Sequence, residues 1–231
     1  MSITPVFKPM VAEHKSMDTE FGSLYRLATR WAIMLTIPIA VTMLLAPETY
    51  LTLFFTPEYA VAGNVVIVLT LGYLLNSSFG PEGMVLEGLG HTRLTFLNTL
   101  LLITTNAVLD VLLVPRLGIV GAGIGTASAV TITGVIGVLE IYILREELPH
   151  STSILKVVLA GVPTVLVGQV VTSVLPSVVV TALVLPIVVT ITYAGSLALG
   201  EGFTEDEKRV AERIDARLGR PVVTPLLSIR Q

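Results

Sequence analysis

The sequence predicts an all-α, polytopic membrane bundle of six spans with both termini cytoplasmic. Three observations carry that reading. Six long apolar runs fill the chain: Leu24–Ala46, Ala60–Gly80, Leu94–Val114, Gly118–Leu144, Ile154–Val174 and Pro176–Leu199. Each is at least as long as the ~20 residues a helix needs to cross a ~30 Å hydrocarbon core. The runs are continuous rather than alternating, so the backbone groups are satisfied within helices and not around a barrel. Finally, thirteen of the fourteen Lys and Arg residues fall on one side if both ends lie inside, and only Arg116 falls on the other. Basic residues are retained on the cytoplasmic side of a membrane, so this asymmetry supports six spans over five or seven.

Composition points the same way. The 231 residues are 53% hydrophobic and 13% charged, with a mean hydropathy of +0.84. A net charge of −3 is the wrong sign for a nucleic-acid binder. With no cysteine, disulfides, thiolate metal sites and cysteine nucleophiles are excluded. His14, His91 and His150 are scattered without ligand spacing, so no metal or cofactor site is expected. Ser, His and acidic residues nowhere converge as nucleophilic catalysis requires, so no enzyme is expected.

Taken in order, residues 1–23 form a cytoplasmic lead. Tyr25, Arg26 and Trp31 open the first span at headgroup level, and Pro38 inside it favours a kink. The outer connection contains Leu51–Phe55, suited to a short amphipathic turn at the interface. The next connection holds Gly80, Pro81, Gly83, Gly88 and Gly90, a pattern of a loop or broken helix. Pro115–Gly118 is so short that spans three and four must form a tight antiparallel hairpin. Residues 24–200 make up the membrane domain and 201–231 a cytoplasmic tail. In the tail, Thr204 and the acids Glu205–Glu207 open a short amphipathic helix that Gly219 stops.

Polar residues inside the spans are the candidates for function. Asn98, Asn106 and Asp110 recur at helical spacing on span three, near one stripe. Such a stripe lines a substrate pathway or bridges neighbouring helices, and Asp110 stands within sequence reach of Arg116. Glu87 and Glu140 are candidate ion-coupling acids, with a solvated loop and the inner interface as their ordinary alternatives. On span four, Gly121, Gly125 and Ala129 recur every four residues and smooth one face for close helix packing. The surrounding glycine pattern superficially suggests dinucleotide binding. Thr126 stands where the third glycine or an alanine belongs, and the context is a span rather than a strand–turn–helix unit.

The stretch PEYAVAGNVVIVLTLGYLLNSSFGPEGMVLEGLGHTRLTFLNTLLLITTNAVLDVLLVPRLGIVGAGIGTASA resembles the C-terminal half of the polysaccharide flippases. These belong to the multidrug, oligosaccharidyl-lipid and polysaccharide exporter superfamily. The phrase N-x-x-L-N-x-x-L-I-P-x-Y-G-I-x-G-A-A-I-A-T of that family is met by Asn106 to Thr126. It departs at Asp110 for the usual asparagine, at Leu117 for the usual aromatic and at Gly123 for the second alanine. Residues 4–40 resemble the end of the family's eighth span, its cytoplasmic loop and its ninth span, so the likeness covers roughly residues 4–200.

The resemblance implies one lobe of a two-lobe transporter in the cytoplasmic membrane. This chain would supply the last six of fourteen spans, with residues 1–23 the truncated end of a preceding one. The implied partners are the lipid bilayer, a lipid-linked glycan substrate and a missing N-terminal lobe, from the same gene or a partner chain. The implied activity is translocation of lipid-linked oligosaccharide or polysaccharide precursors for cell-surface glycan synthesis. Alternatives are a cation-coupled drug or metabolite exporter of the same superfamily, or a non-transporting remnant or scaffold.

Overall fold

The computed structural model describes residues 18–149, 153–175 and 177–200. The expected helix at 203–219 lies outside them, as do His14 and His150. The described part is α-helical, with six helical stretches long and apolar enough to span a membrane. In order they are α1 (Asp18–Leu45), α2 (Pro47–Phe54), a 3-10 turn (Pro57–Ala62), α3 (Gly63–Ser77), α4 (Glu82–Gly88), α5 (Thr92–Leu117), α6 (Ile119–Arg145), α7 (Ser153–Leu159), α8 (Gly161–Val174) and α9 (Val178–Leu199).

Two of the spans are broken. The second runs from the 3-10 turn through α3, bends at Gly80 and resumes as α4, which ends before Gly90. Both glycines have positive φ, 76° and 89°. Gly80 also lies against Thr29 and Tyr25 of α1, where a side chain would collide. The glycine-rich connection is therefore a broken helix, with Val85 and Leu86 fully buried. The fifth span is α7 followed by α8, interrupted at Ala160. Leu51–Phe55 lies in and just after α2, an eight-residue helix begun by Pro47. Pro is well suited there because the first helical N–H has no partner to lose.

α5 and α6 are separated by a single residue. Gly118, at φ 59° and ψ −141°, caps the first helix and begins the second. L side chains rarely adopt that conformation, which explains glycine at this turn.

The helices pack as a row, α5 on α6, α6 on α3 and α3 on α1, with α8 and α9 against the other side of α1. Ile33, Ile37, Val41, Val157, Leu185 and Val189 form the core where α1 meets α7 and α9. A second cluster of Phe21, Tyr25, Val85, Leu86, Leu89 and Ile141 closes the inner end. There the Tyr25 hydroxyl donates to the Phe79 carbonyl at 2.8 Å. Arg26 pairs with Glu147 at 2.6 Å, and the Arg145 guanidinium lies 5.5 Å from the centre of the Phe21 ring. At the outer end, Tyr50 donates to the Ala182 carbonyl of α9 at 3.2 Å.

α6 is approached on two faces without side chains in the way. A Cβ on Gly121 would sit 2.6 Å from the Leu113 backbone of α5. On the other face, Gly72 of α3 lies so near Ala127 that a Cβ would come within 2.5 Å of its methyl. Beside that contact runs an open groove of about 470 Å³ between α3 and α6.

Gly121→Ala has no room to relax, because its neighbour is backbone. We expect it to cost about 1–3 kcal/mol, read as a lower thermal midpoint in detergent. Gly195→Ala in α9 meets nothing within 4 Å and should leave the midpoint unchanged or slightly raised. Burial raises the Tyr50 pKa above its ordinary 10.0. The folded state then resists ionisation, so Tyr50 contributes stability that is complete below pH 10 and is lost as pH rises above it. Tyr50→Phe should make the alkaline fall in thermal midpoint shallower.

Candidate functional site

The polar stripe of α5 faces α6. Asn98 donates through Nδ2 to the Glu140 carboxylate at 2.7 Å. Two turns further out, Asn106 donates to the Thr126 hydroxyl at 3.1 Å. One turn beyond that, Asp110 Oδ1 is buried and has no hydrogen-bond partner. It occupies the space left by Gly125, whose Cβ would stand 2.5 Å from that oxygen. Arg116 is exposed and does not supply the missing partner.

The small-residue row of α6 frames this arrangement. Gly121, Gly125 and Ala129 are all buried. Gly121 meets the α5 backbone and Gly125 meets Asp110. The glycines thus do more than permit close approach, since one of them makes room for a carboxylate. Glu87 lies on α4 rather than in an open loop and is half-buried. Glu140 is in the seam, half-buried at its inner end.

Three residues at or beside this seam are not singled out by the sequence. Thr126 entered only as a departure from a nucleotide pattern, yet it takes the Asn106 hydrogen bond. Thr95, one turn inside Asn98, has a buried hydroxyl oxygen without a partner. The signal available for Thr126 was its position beside Gly125, on the face that must meet α5. Glu82 was also missed. Its side chain packs into the notch left by Gly137 on α6.

Chemically, the outer cluster offers an amide, a hydroxyl and a carboxylate on facing helices at membrane depth. An isolated carboxylate is costly in such a place unless it is protonated or paired with a cation. Oxygen donors of this kind suit hard cations rather than thiophilic metals. Among the described residues, no group of three or more His, Cys, Asp or Glu could hold a metal ion.

The fold defines the class first. This is a multi-pass membrane protein built like one part of a lipid flippase. In particular, it superposes on the lipid II flippase MurJ in its inward closed conformation with a TM-score of 0.65. The identity is 18%, over 84% of this chain and 42% of that one. The flippase fold expected from the sequence resemblance is therefore present. An uncharacterized membrane protein of Methanocaldococcus jannaschii is 25% identical over 122 residues, which are 52% of this chain and 23% of the relative. The chain thus spans under half the flippase and under a quarter of that relative in the matched regions. No protein-family model matches it.

The Asn106–Thr126 bond links α5 to α6 within the bilayer, where such bonds average ~0.6 kcal/mol and reach ~1.7 kcal/mol. A double-mutant cycle of Asn106→Ala and Thr126→Ala should give a coupling in that range. Strict additivity would mean that the bond contributes nothing to folding.

Proposed function

We propose that this chain is part of a flippase that moves lipid-linked oligosaccharide or polysaccharide precursors from the inner to the outer leaflet of the cytoplasmic membrane. The observation that carries this reading is the shared fold with a lipid II flippase over 84% of the chain. The motif resemblance from Asn106 to Thr126 supports it independently. In the implied mechanism, two lobes rock about a central hydrophilic cavity that takes the sugar head, while the lipid tail stays in the bilayer. This chain supplies helices of one lobe, and the other lobe comes from further polypeptide.

The ion that drives the cycle is a monovalent cation at Asp110. The orphaned carboxylate oxygen supports this assignment, because a bound cation removes the cost of leaving it buried. Asn106 and Thr126 offer further oxygens beside it. Binding at this seam fixes α5 against α6 and so biases the lobe toward one arrangement.

Deletion of the gene should reduce surface glycan and cause lipid-linked precursor to accumulate on the inner leaflet. Unchanged glycan with lowered tolerance to cationic drugs would replace this reading with the exporter. Asp110→Asn should fold normally yet lose complementation and show a smaller Na⁺-dependent rise in thermal midpoint than wild type. Complementation at the wild-type level would remove Asp110 from the mechanism.

A further inference from the structure

The seam between α5 and α6 carries a second polar station near its inner end. Thr95 and Asn98 lie one turn apart on α5, about 60° round the helix axis, and Asn98 is joined to Glu140 at 2.7 Å. The Thr95 hydroxyl breaks a pattern. Thr99 and Thr104 on the same helix donate to the carbonyl four residues earlier, at 2.9 and 2.8 Å. That is how a threonine ordinarily satisfies itself in an apolar helix.

For Thr95 the corresponding carbonyl belongs to His91. It already accepts the backbone N–H groups of Leu94 at 3.0 Å and Thr95 at 3.4 Å. The Thr95 hydroxyl is left buried without a partner. On the α4 side, Gly83 has only the Thr95 methyl near where its Cβ would be, at 3.9 Å.

We propose that Thr95, Asn98 and Glu140 form a binding site for one hard monovalent cation, with Na⁺ as the probe. The Asn98 amide nitrogen is committed to one Glu140 oxygen. Its amide oxygen, the second Glu140 oxygen and the Thr95 hydroxyl oxygen then remain as ligands. The chemistry repeats that of the outer cluster, with one carboxylate, one asparagine and one threonine at each. A single carboxylate balances a single positive charge, whereas Mg²⁺ demands octahedral geometry and sheds its waters reluctantly. The two stations stand on the same stripe of α5, and Thr95 and Asp110 are the two residues with unpartnered buried side-chain oxygens among the described residues. Fifteen residues of helix separate them, about 22 Å along the axis. The inner station holds its cation at the cytoplasmic mouth of the seam, and it does not depend on the transport reading.

The test is equilibrium binding of radioactive Na⁺ to the full chain purified in detergent, comparing wild type with Glu140→Gln, Thr95→Val and Asp110→Asn. We expect two ions per wild-type chain, with Glu140→Gln losing one and Asp110→Asn losing the other. Thr95→Val, which keeps shape and removes one ligand oxygen, should weaken the inner ion by about tenfold or more. Its helicity by circular dichroism should match wild type. If Glu140→Gln and Thr95→Val bind Na⁺ as wild type does, the inner site is refuted. Should the wild type bind one ion that only Asp110→Asn removes, the inner site is likewise refuted while the outer one stands. One ion lost in Glu140→Gln and Thr95→Val but kept in Asp110→Asn would establish the inner site and remove the outer one.

Discussion

Helices in lipid gain nothing by hiding apolar surface from one another, because the lipid is as apolar as they are. Their association rests on close backbone approach and on the few polar contacts that lipid cannot replace. α6 meets that constraint on two faces. Gly121 and Gly125 let α5 come down onto it, while Ala127 receives Gly72 of α3. The rest of the row follows, since α3 carries α1, and α1 carries α8 and α9. Bulk placed on either face of α6 would separate the hairpin from the remainder of the bundle.

The same closeness concentrates the polar chemistry. α5 exposes much of its apolar surface, with Phe96, Ile103 and Val111 strongly exposed, as a helix bordering lipid does. Its asparagines, Asp110 and Thr95 turn away from that surface. Because α6 offers glycine where α5 offers Asp110, a carboxylate is accommodated at a depth that normally rejects one. An unpaired acid at this depth makes structural sense when something else can occupy its partner's place. The seam thereby brings close backbone approach and the polar side chains of α5 to one place.

Each end of the bundle is held in its own way. Inside, the Arg26–Glu147 pair and the Arg145–Phe21 contact tie the first span to the end of the fourth. The pair is partly exposed, so it contributes at most about 1 kcal/mol and serves mainly to orient the chain. Outside, α2 and the 3-10 turn cover the helix ends, and Tyr50 reaches across to α9. These contacts tie the described helices together at both ends.

The class and the spans were legible in the sequence because they depend on local quantities. Apolar run length set the spans, and Gly80 with Gly90 marked the break in span two. The tight hairpin followed from the shortness of Pro115–Gly118, while the structure extends the helix through Pro115 to Leu117 and leaves Gly118 alone as the turn. The periodicity of Asn98, Asn106 and Asp110 placed them near one stripe, but periodicity does not say what a stripe faces. Only tertiary structure paired Asn98 with Glu140 and Asn106 with Thr126, since those partners are 42 and 20 residues apart. It also decided that Asp110 meets Gly125 rather than the nearby Arg116, and that the Thr95 hydroxyl lacks the partner its neighbours have. A sequence fixes which groups a helix presents; the register between two helices, set by where their backbones can touch, fixes which of those groups meet.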